Sequence, residues 1–212
     1  MLHLQAFTFN PFQENTYVLY NEAKEAWIID PGMFNTHEQM ELDGFITANG
    51  LTPIRLLLTH AHIDHILGAA YVSEKYNLLP EVHEADLFFV NRMPESARMY
   101  GVPAEACPQP KAFIQEKDVY QLGPHAFVCI HTPGHSPGSI SFYCKEEQLL
   151  ISGDVLFQGS IGRSDLPMGD HTTLINSIVT KLLPLGDDVK VYSGHGPATT
   201  IGHERLSNPF LS

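Results

Sequence analysis

Positive charge is scarce in this 212-residue sequence: 12 Lys and Arg stand against 24 Asp and Glu, a formal net charge of −12 at pH 7. Such a surface repels nucleic acid and anionic lipid, and no basic tract interrupts it, so neither is an expected partner. Cysteine is scarce as well. Cys107, Cys129 and Cys144 are odd in number, scattered and without CxxC spacing. That excludes a disulfide framework and fits three small buried apolar groups in a reducing cytoplasm. Long apolar runs are missing: no stretch reaches the ~18 residues that would cross a bilayer as a helix. The first stretch, "MLHLQAFTFNPFQENTYVLY", has neither a basic start nor a continuous apolar segment, so it is not expected to act as a signal peptide.

What remains is an ordinary globular composition, 43% hydrophobic and 17% charged, over a length that fits one domain spanning residues 1–212. "LHLQAFTF" and "NTYVLY" alternate and flank a turn at "NPFQE", as an antiparallel pair would. "EAWIIDPG" and "PIRLLLTH" read as further strands, with a helix between them from Thr36 to Gly50, Thr36 serving as the N-cap. Helical spacing continues from Ile66 to Asn77 and from Ala85 to Met99, with a short strand, "EVHE", between them. The Tyr100–Gln115 segment carries three prolines and reads as a loop. A second block begins near residues 115–125: a strand "HAFVCIHT", a hairpin "SISFYCKEEQLLISGD", a helix "HTTLINSIVTKLL", a strand "VKVYSGHG" and a last helix in "PATTIGHERL". The pattern predicts an α/β protein with two layers of sheet enclosed by helices.

Four places at strand ends carry candidate metal ligands: "THAHIDH", "TPGHSPGS", "SGDVLF" and "YSGHGPATT". His60 and His62 lie two apart, so in extended backbone both face the same side and reach one ion. Asp64 and His65 follow where the chain turns into a helix, which sends them toward a different point. With His135, Asp154 and His195 they make seven candidates, too many for one tetrahedral ion. They suit two ions, with Asp154 as a bridging carboxylate and a hydroxide as the second bridge. Imidazole and carboxylate donors favour Zn²⁺, with Fe or Mn²⁺ as alternatives, and the absence of cysteine ligands argues against a purely structural zinc. Taken singly, His135 or His195 reads as a hydrogen-bonded loop residue and Asp154 as a turn residue or cap. The joint pattern carries the metal reading. The other histidines, His3, His37, His83, His125, His131, His171 and His203, lack such contexts, although His171 follows a glycine-containing loop that could face the site.

In order and separation, "THAHIDHILG", "TPGHSPGS", "SGDVLF" and "SGHGPAT" resemble the motifs of the metallo-β-lactamase superfamily, and the early "IIDPG" matches as well. The resemblance covers essentially the whole chain and implies a four-layer αββα sandwich with a two-metal site on one edge. "GSIGRSDLPMGD" and "GHERLSNPFL" are similar to the short glyoxalase II-like hydrolases. That similarity implies His60, His62 and His135 on the first metal and Asp64, His65 and His195 on the second, with Asp154 bridging. It implies hydrolysis of an acyl thioester such as S-D-lactoylglutathione by the bridging hydroxide, with Asp64 as a candidate proton shuttle.

The sequence also departs from that group. A counterpart of the C-terminal helical domain of longer glyoxalase II enzymes is not expected from these 212 residues. Their substrate-carboxylate lysine is replaced by Arg163, a candidate substrate-binding residue that can make the same contact bidentately. Their nearby tyrosine is replaced by Asp165. Two rival readings stand beside the hydrolase: a persulfide dioxygenase with one iron, and a non-catalytic metal-binding protein. A β-lactamase is disfavoured because those enzymes generally lack the bridging aspartate, and a nucleic-acid phosphodiesterase by the net charge. Residues 92–117 are a candidate substrate wall, with a packed surface helix and loop as the alternative. Nothing in the sequence predicts an oligomeric state.

Overall fold

The computed structural model describes residues 1–211. The first sheet contains β1 (Leu2–Phe9), β2 (Glu14–Asn21), β3 (Glu25–Ile29), β4 (Thr52–Leu57), β5 (Pro80–Val82) and β6 (Ala112–Phe113) in that spatial order. β1, β2 and β3 are antiparallel neighbours, while β3 to β6 run parallel. The second sheet begins with β7 (Val119–Leu122), β8 (His125–His131), β9 (Ile140–Cys144) and β10 (Leu149–Gly153). A small hairpin, β11 (Leu156–Phe157) and β12 (Ser160–Ile161), follows. β13 (Lys190–Ser193) and β14 (Thr199–Thr200) complete the second sheet in the order β14-β13-β10-β9-β8-β7.

Alternation along the strands makes the layers. Leu19, Trp27, Ile29 and Leu57 point into the space between the sheets and meet Phe127, Cys129, Phe142 and Ile151 from the other side. Trp27 packs edge-on to Phe127, with ring centroids 5.1 Å apart. The intervening Val18, Ala26, Ile28 and Leu56 face outward, under α1 (Thr36–Ala48) and, beyond a short α2 (Ile63–Ile66), under α3 (Ala69–Tyr76). A fourth helix, α4 (Leu87–Tyr100), closes over α2 through Val90, Met93 and Ala97. On the second sheet, Leu150 and Val191 face α5 (His171–Ser177) and α6 (Ile201–Ser207). Period-2 strands buried on both faces therefore produce the αββα sandwich.

Some boundaries differ from the pattern-based expectation. The N-cap of α1 is Asn35, whose side chain accepts from the Glu38 N–H, rather than Thr36. The helix expected at Ile66–Asn77 is broken, because the Gly68 N–H bonds to the Pro31 carbonyl at 2.7 Å instead of extending α2. α5 stops at Ser177 and continues as a wider turn, Ile178–Leu182, and a tight one, Leu183–Leu185. β7 was not expected at all, since only Leu122 of its four residues is fully buried. The two blocks do divide between β6 and β7. Among the described residues no helix is long and apolar enough to cross a membrane.

Candidate metal centre

Loops after β4, β8, β10 and β13 meet at one edge of the sandwich and bring all seven candidate ligands together. The ligand atoms of His60, His62 and His135 lie within 4.8 Å of one another, and so do those of Asp64, His65 and His195. His135 Nε2 is 2.7 Å from His62 Nδ1 and 3.2 Å from His60 Nε2. In the second group, Asp64 Oδ2 is 3.1 Å from His195 Nε2 and 3.7 Å from His65 Nε2. Asp154 stands between the groups. Its Oδ2 is 3.5 Å from both His135 Nε2 and His195 Nε2, and its Oδ1 is 3.4 Å from His65 Nε2. The remaining histidines lie elsewhere. His171 meets Ser164, and His83 stacks on His131 with ring centroids 4.3 Å apart.

Hydrogen bonds on the far side of each ring decide which nitrogen faces inward. His135 Nδ1 faces the Arg163 carbonyl at 2.7 Å and His195 Nδ1 the Gln13 carbonyl at 3.1 Å. His65 Nδ1 faces Asp30 Oδ2 at 3.1 Å. The Thr59 hydroxyl gives its proton to Asp30 at 2.5 Å, leaving Thr59 Oγ1 to accept from His60 Nδ1 at 3.0 Å. These acceptors put the proton on Nδ1 and leave the Nε2 lone pair aimed at the centre, the arrangement metal-bound imidazoles use. His62 is reversed and presents Nδ1.

The donor set fits divalent cations. Two inward imidazole nitrogens 2.7 Å apart repel unless a proton or a cation lies between them. His65 Nε2 and Asp154 Oδ1 are buried, face each other and have no hydrogen-bond partner. Orphaned buried polar atoms are costly, and a metal ion satisfies them together.

Electrostatics separates the two groups. Burial and the neighbouring His65 keep His60 well below the usual histidine range. Burial and His135 take His62 down to about 3. In the second group burial opposes charge, but carboxylates prevail. Asp154 and Asp64 hold His65 well above its ordinary value, and hydrogen bonds to the same pair raise His195 to about 9. Conversely, His65 and His195 overcome burial to keep Asp154 well below the normal carboxylate range.

Several residues that hold the centre lie outside the seven candidates read from the sequence. Asp30 accepts from the Thr59 N–H at 2.7 Å as well as from Thr59 Oγ1 and His65. Buried Asp86, just before α4, accepts from the Ala61 N–H at 2.9 Å, the Ser136 hydroxyl at 2.9 Å and the Gly138 N–H at 2.6 Å. It ties the first ligand loop to the His135 loop. Asn15 Nδ2 donates to the carbonyls of Ser193 and Gly196, and the Tyr17 hydroxyl to that of Ser193 at 2.6 Å, anchoring the His195 loop. Two glycines are required by space. A Cβ on Gly194 would lie 2.1 Å from Asp154 Oδ1, and one on Gly153, at φ +54°, would lie 2.4 Å from Thr59 Oγ1. Asp30 was visible in "IIDPG", and Asp86 could have been found by asking what neutralises a lone acid in "ADLFFV".

The mouth of the cleft is aromatic. Phe89 of α4 lies edge-on to His62 at 4.7 Å, and Phe157 faces His195 at 6.2 Å. Tyr100, at the end of α4, meets Phe12 of the β1–β2 turn at 5.5 Å. Arg163 Nε and Nη2 donate to the two carboxylate oxygens of Asp165 at 2.9 and 2.8 Å. Of the 92–117 segment, Tyr100 contacts Phe12, whereas Met93, Ala97 and Cys107 are core residues.

Comparison with known proteins identifies the family. The family model of the metallo-β-lactamase superfamily matches residues 9–195. A Haemophilus influenzae protein named hydroxyacylglutathione hydrolase GloC is 38% identical over 218 residues, covering 100% of this chain and 99% of its own length. Among solved structures, BLEG-1 B3 metallo-β-lactamase superposes with a TM-score of 0.90 at 42% identity, covering 99% of this chain and 100% of that one. TTHA1623 in a di-iron-bound form gives a TM-score of 0.88 at 38% identity, covering 98% of this chain and 100% of that one.

Proposed function

The chain belongs to the metallo-β-lactamase superfamily of metal-dependent hydrolases, and from that premise we propose that it is a dinuclear hydrolase of acyl thioesters of the S-D-lactoylglutathione type. The observation that carries the reading is the position of Asp154, within 3.5 Å of nitrogens from both ligand groups. His60, His62 and His135 would hold one ion, Asp64, His65 and His195 the other, and Asp154 would serve both. Divalent ions bound there supply Lewis acidity, activating water near neutral pH and polarising an acyl oxygen.

The chain's own groups do the rest. Protons on the Nδ1 atoms of His60, His65, His135 and His195 lock their rings in the ligating orientation. Asp64, the more exposed of the two carboxylates, would be the group to take a proton from the nucleophile. Phe89 packs edge-on to His62 and Phe157 lies edge-on to His195, and these rings would help hold the two imidazoles in place. A thiolate with a pKa of about 8.5 leaves without a strong general acid, which favours a thioester over an amide. Arg163 lies at the mouth, where a thiol carrier would extend, and Tyr100 would form part of its wall. Three free, buried cysteines support a reducing compartment such as the cytoplasm.

The test is turnover of a thioester panel by purified, metal-restored protein. Cleavage well above that of a His135→Ala control is the expected result, and equal rates would refute the reading. The relation to BLEG-1 favours β-lactam hydrolysis as a second reading, checked by adding a β-lactam to the same panel. Zinc is the proposed metal, and the di-iron form of TTHA1623 makes iron the alternative. Two ions per chain without oxygen uptake would separate the hydrolase from a one-iron dioxygenase.

A further inference from the structure

The stretch "GHERLSNPFL" supplies none of the seven candidate ligands, yet two of its polar side chains, Glu204 and Asn208, are buried. Three donors converge on Glu204. The Thr199 hydroxyl reaches Oε1 at 2.5 Å, and the Gly159 N–H and Asn208 Nδ2 both reach Oε2 at 2.8 Å. Asn208 Nδ2 also donates to the Ser160 carbonyl at 2.9 Å. Glu204 lies on α6 and Asn208 is its C-cap. Together they grip the β11–β12 hairpin at its tip and β14 where the chain leaves the His195 loop.

Both ends of that hairpin lie at the metal centre. β11 begins two residues after Asp154, and β12 ends two residues before Arg163, whose carbonyl accepts from His135 Nδ1 at 2.7 Å. Gly162, between β12 and Arg163, is wedged among the ligands: a Cβ there would run into the Asp154 carbonyl and lie 3.3 Å from His135 Cβ. Phe157 of β11 lies edge-on to His195. The hairpin has only two residue pairs, Leu156 with Ile161 and Phe157 with Ser160. So short a ladder does not hold its own position. Leu156 and Ile161 anchor its base in the core, while the exposed tip, Gln158 and Gly159, is gripped from α6.

We propose that Glu204 and Asn208 are positioning residues of the metal centre: from the last helix they set the tilt of the β11–β12 hairpin, and through it hold the Arg163 carbonyl on His135 and the backbone of Asp154 in place. The inference rests on the seven residues binding metal and is independent of the thioester. Without the grip the hairpin tilts about its buried base. The Arg163 carbonyl then leaves His135 Nδ1, and that ring loses the acceptor that fixes its orientation and tautomer.

The test compares Glu204→Ala, Glu204→Gln and Asn208→Ala with the wild type in three measurements: zinc affinity by competitive chelator titration, the visible spectrum of cobalt-loaded protein, and the melting temperature of metal-free protein. Asn208→Ala is expected to weaken zinc binding by roughly threefold to tenfold, below the 10- to 100-fold typical of a direct partner of a ligand, and to shift the cobalt spectrum. Glu204→Ala is expected to do at least as much. Glu204→Gln is expected to stay within about twofold of the wild type. Its oxygen can accept from Gly159 and Asn208 while its amide donates to the Thr199 hydroxyl. If Glu204→Ala does not fold, Asn208→Ala decides, because it leaves Glu204 bonded to Thr199 and Gly159. A lowered melting temperature with zinc affinity and cobalt spectrum unchanged overturns the inference, since the pair then serves the fold alone. Loss of the fold in Asn208→Ala, or Glu204→Gln as weak as Glu204→Ala, also overturns it. A wild type that binds no zinc removes the metal reading itself, whereas a wild type with two ions matched by all three variants removes only the grip.

Discussion

The two ligand groups are built from similar residues and solve opposite electrostatic problems. His60, His62 and His135 gather lone pairs, and burial keeps His60 and His62 uncharged. Asp64, His65 and His195, with Asp154 beside them, gather negative charge, and the imidazoles answer by holding protons. The first group is ready for a cation at neutral pH. The second holds protons that a cation must expel. One segment, residues 59–65, serves both, so the distinction comes from where the carboxylates of Asp64 and Asp154 lie and not from the type of ligand.

The largest effect should come from disabling the first group. His135→Ala, or exhaustive chelation, is expected to lower thioester turnover by at least about a thousandfold, read by steady-state kinetics, since metal Lewis acidity is worth several kcal/mol. Next is Asp30→Asn, which touches His65 directly and His60 only through Thr59. It is expected to weaken the second ion by about 10- to 100-fold and the first by less, measured by competitive chelator titration. Equal loss at both would erase the asymmetry.

A third expectation concerns pH. In metal-free protein His195 is raised to about 9, above its unfolded value of about 6.5. Its contribution to stability is therefore fully present below about 6.5 and is lost as pH rises through about 9. The melting temperature of metal-free protein should fall over that window, while affinity for the second ion rises over it. His62, at about 3, contributes no pH dependence to the first ion there. Calorimetry in buffers of different ionisation enthalpy should show proton release mainly with the second ion. The smallest effect is at the mouth, where Tyr100→Ala is expected to raise KM for an aromatic thioester several-fold, in line with the ~1 kcal/mol of one aromatic contact.

Much of the fold was legible because strands buried on both faces have a distinctive composition. "EAWII" and "ISFYC" could hardly be surface. The break at Gly68 was not legible, because it depends on a carbonyl 37 residues earlier in the chain, at Pro31. The seven candidate ligands announced themselves by residue type and spacing. Their supports did not, since two of them, the carbonyls of Gln13 and Arg163, are backbone atoms that any residue supplies. Arg163 was legible as a cation. That its fork closes on Asp165 depends on the course of the loop.

The bond between Gln13 and His195 spans 182 residues. It gives the protein a timetable. At about 5–20 residues per second, the ribosome releases His195 on the order of ten seconds after His62. His135 and Asp154 emerge within that interval, so the chain holds every residue of the first group before the second receives its last member. Filling both groups together therefore belongs to the finished chain.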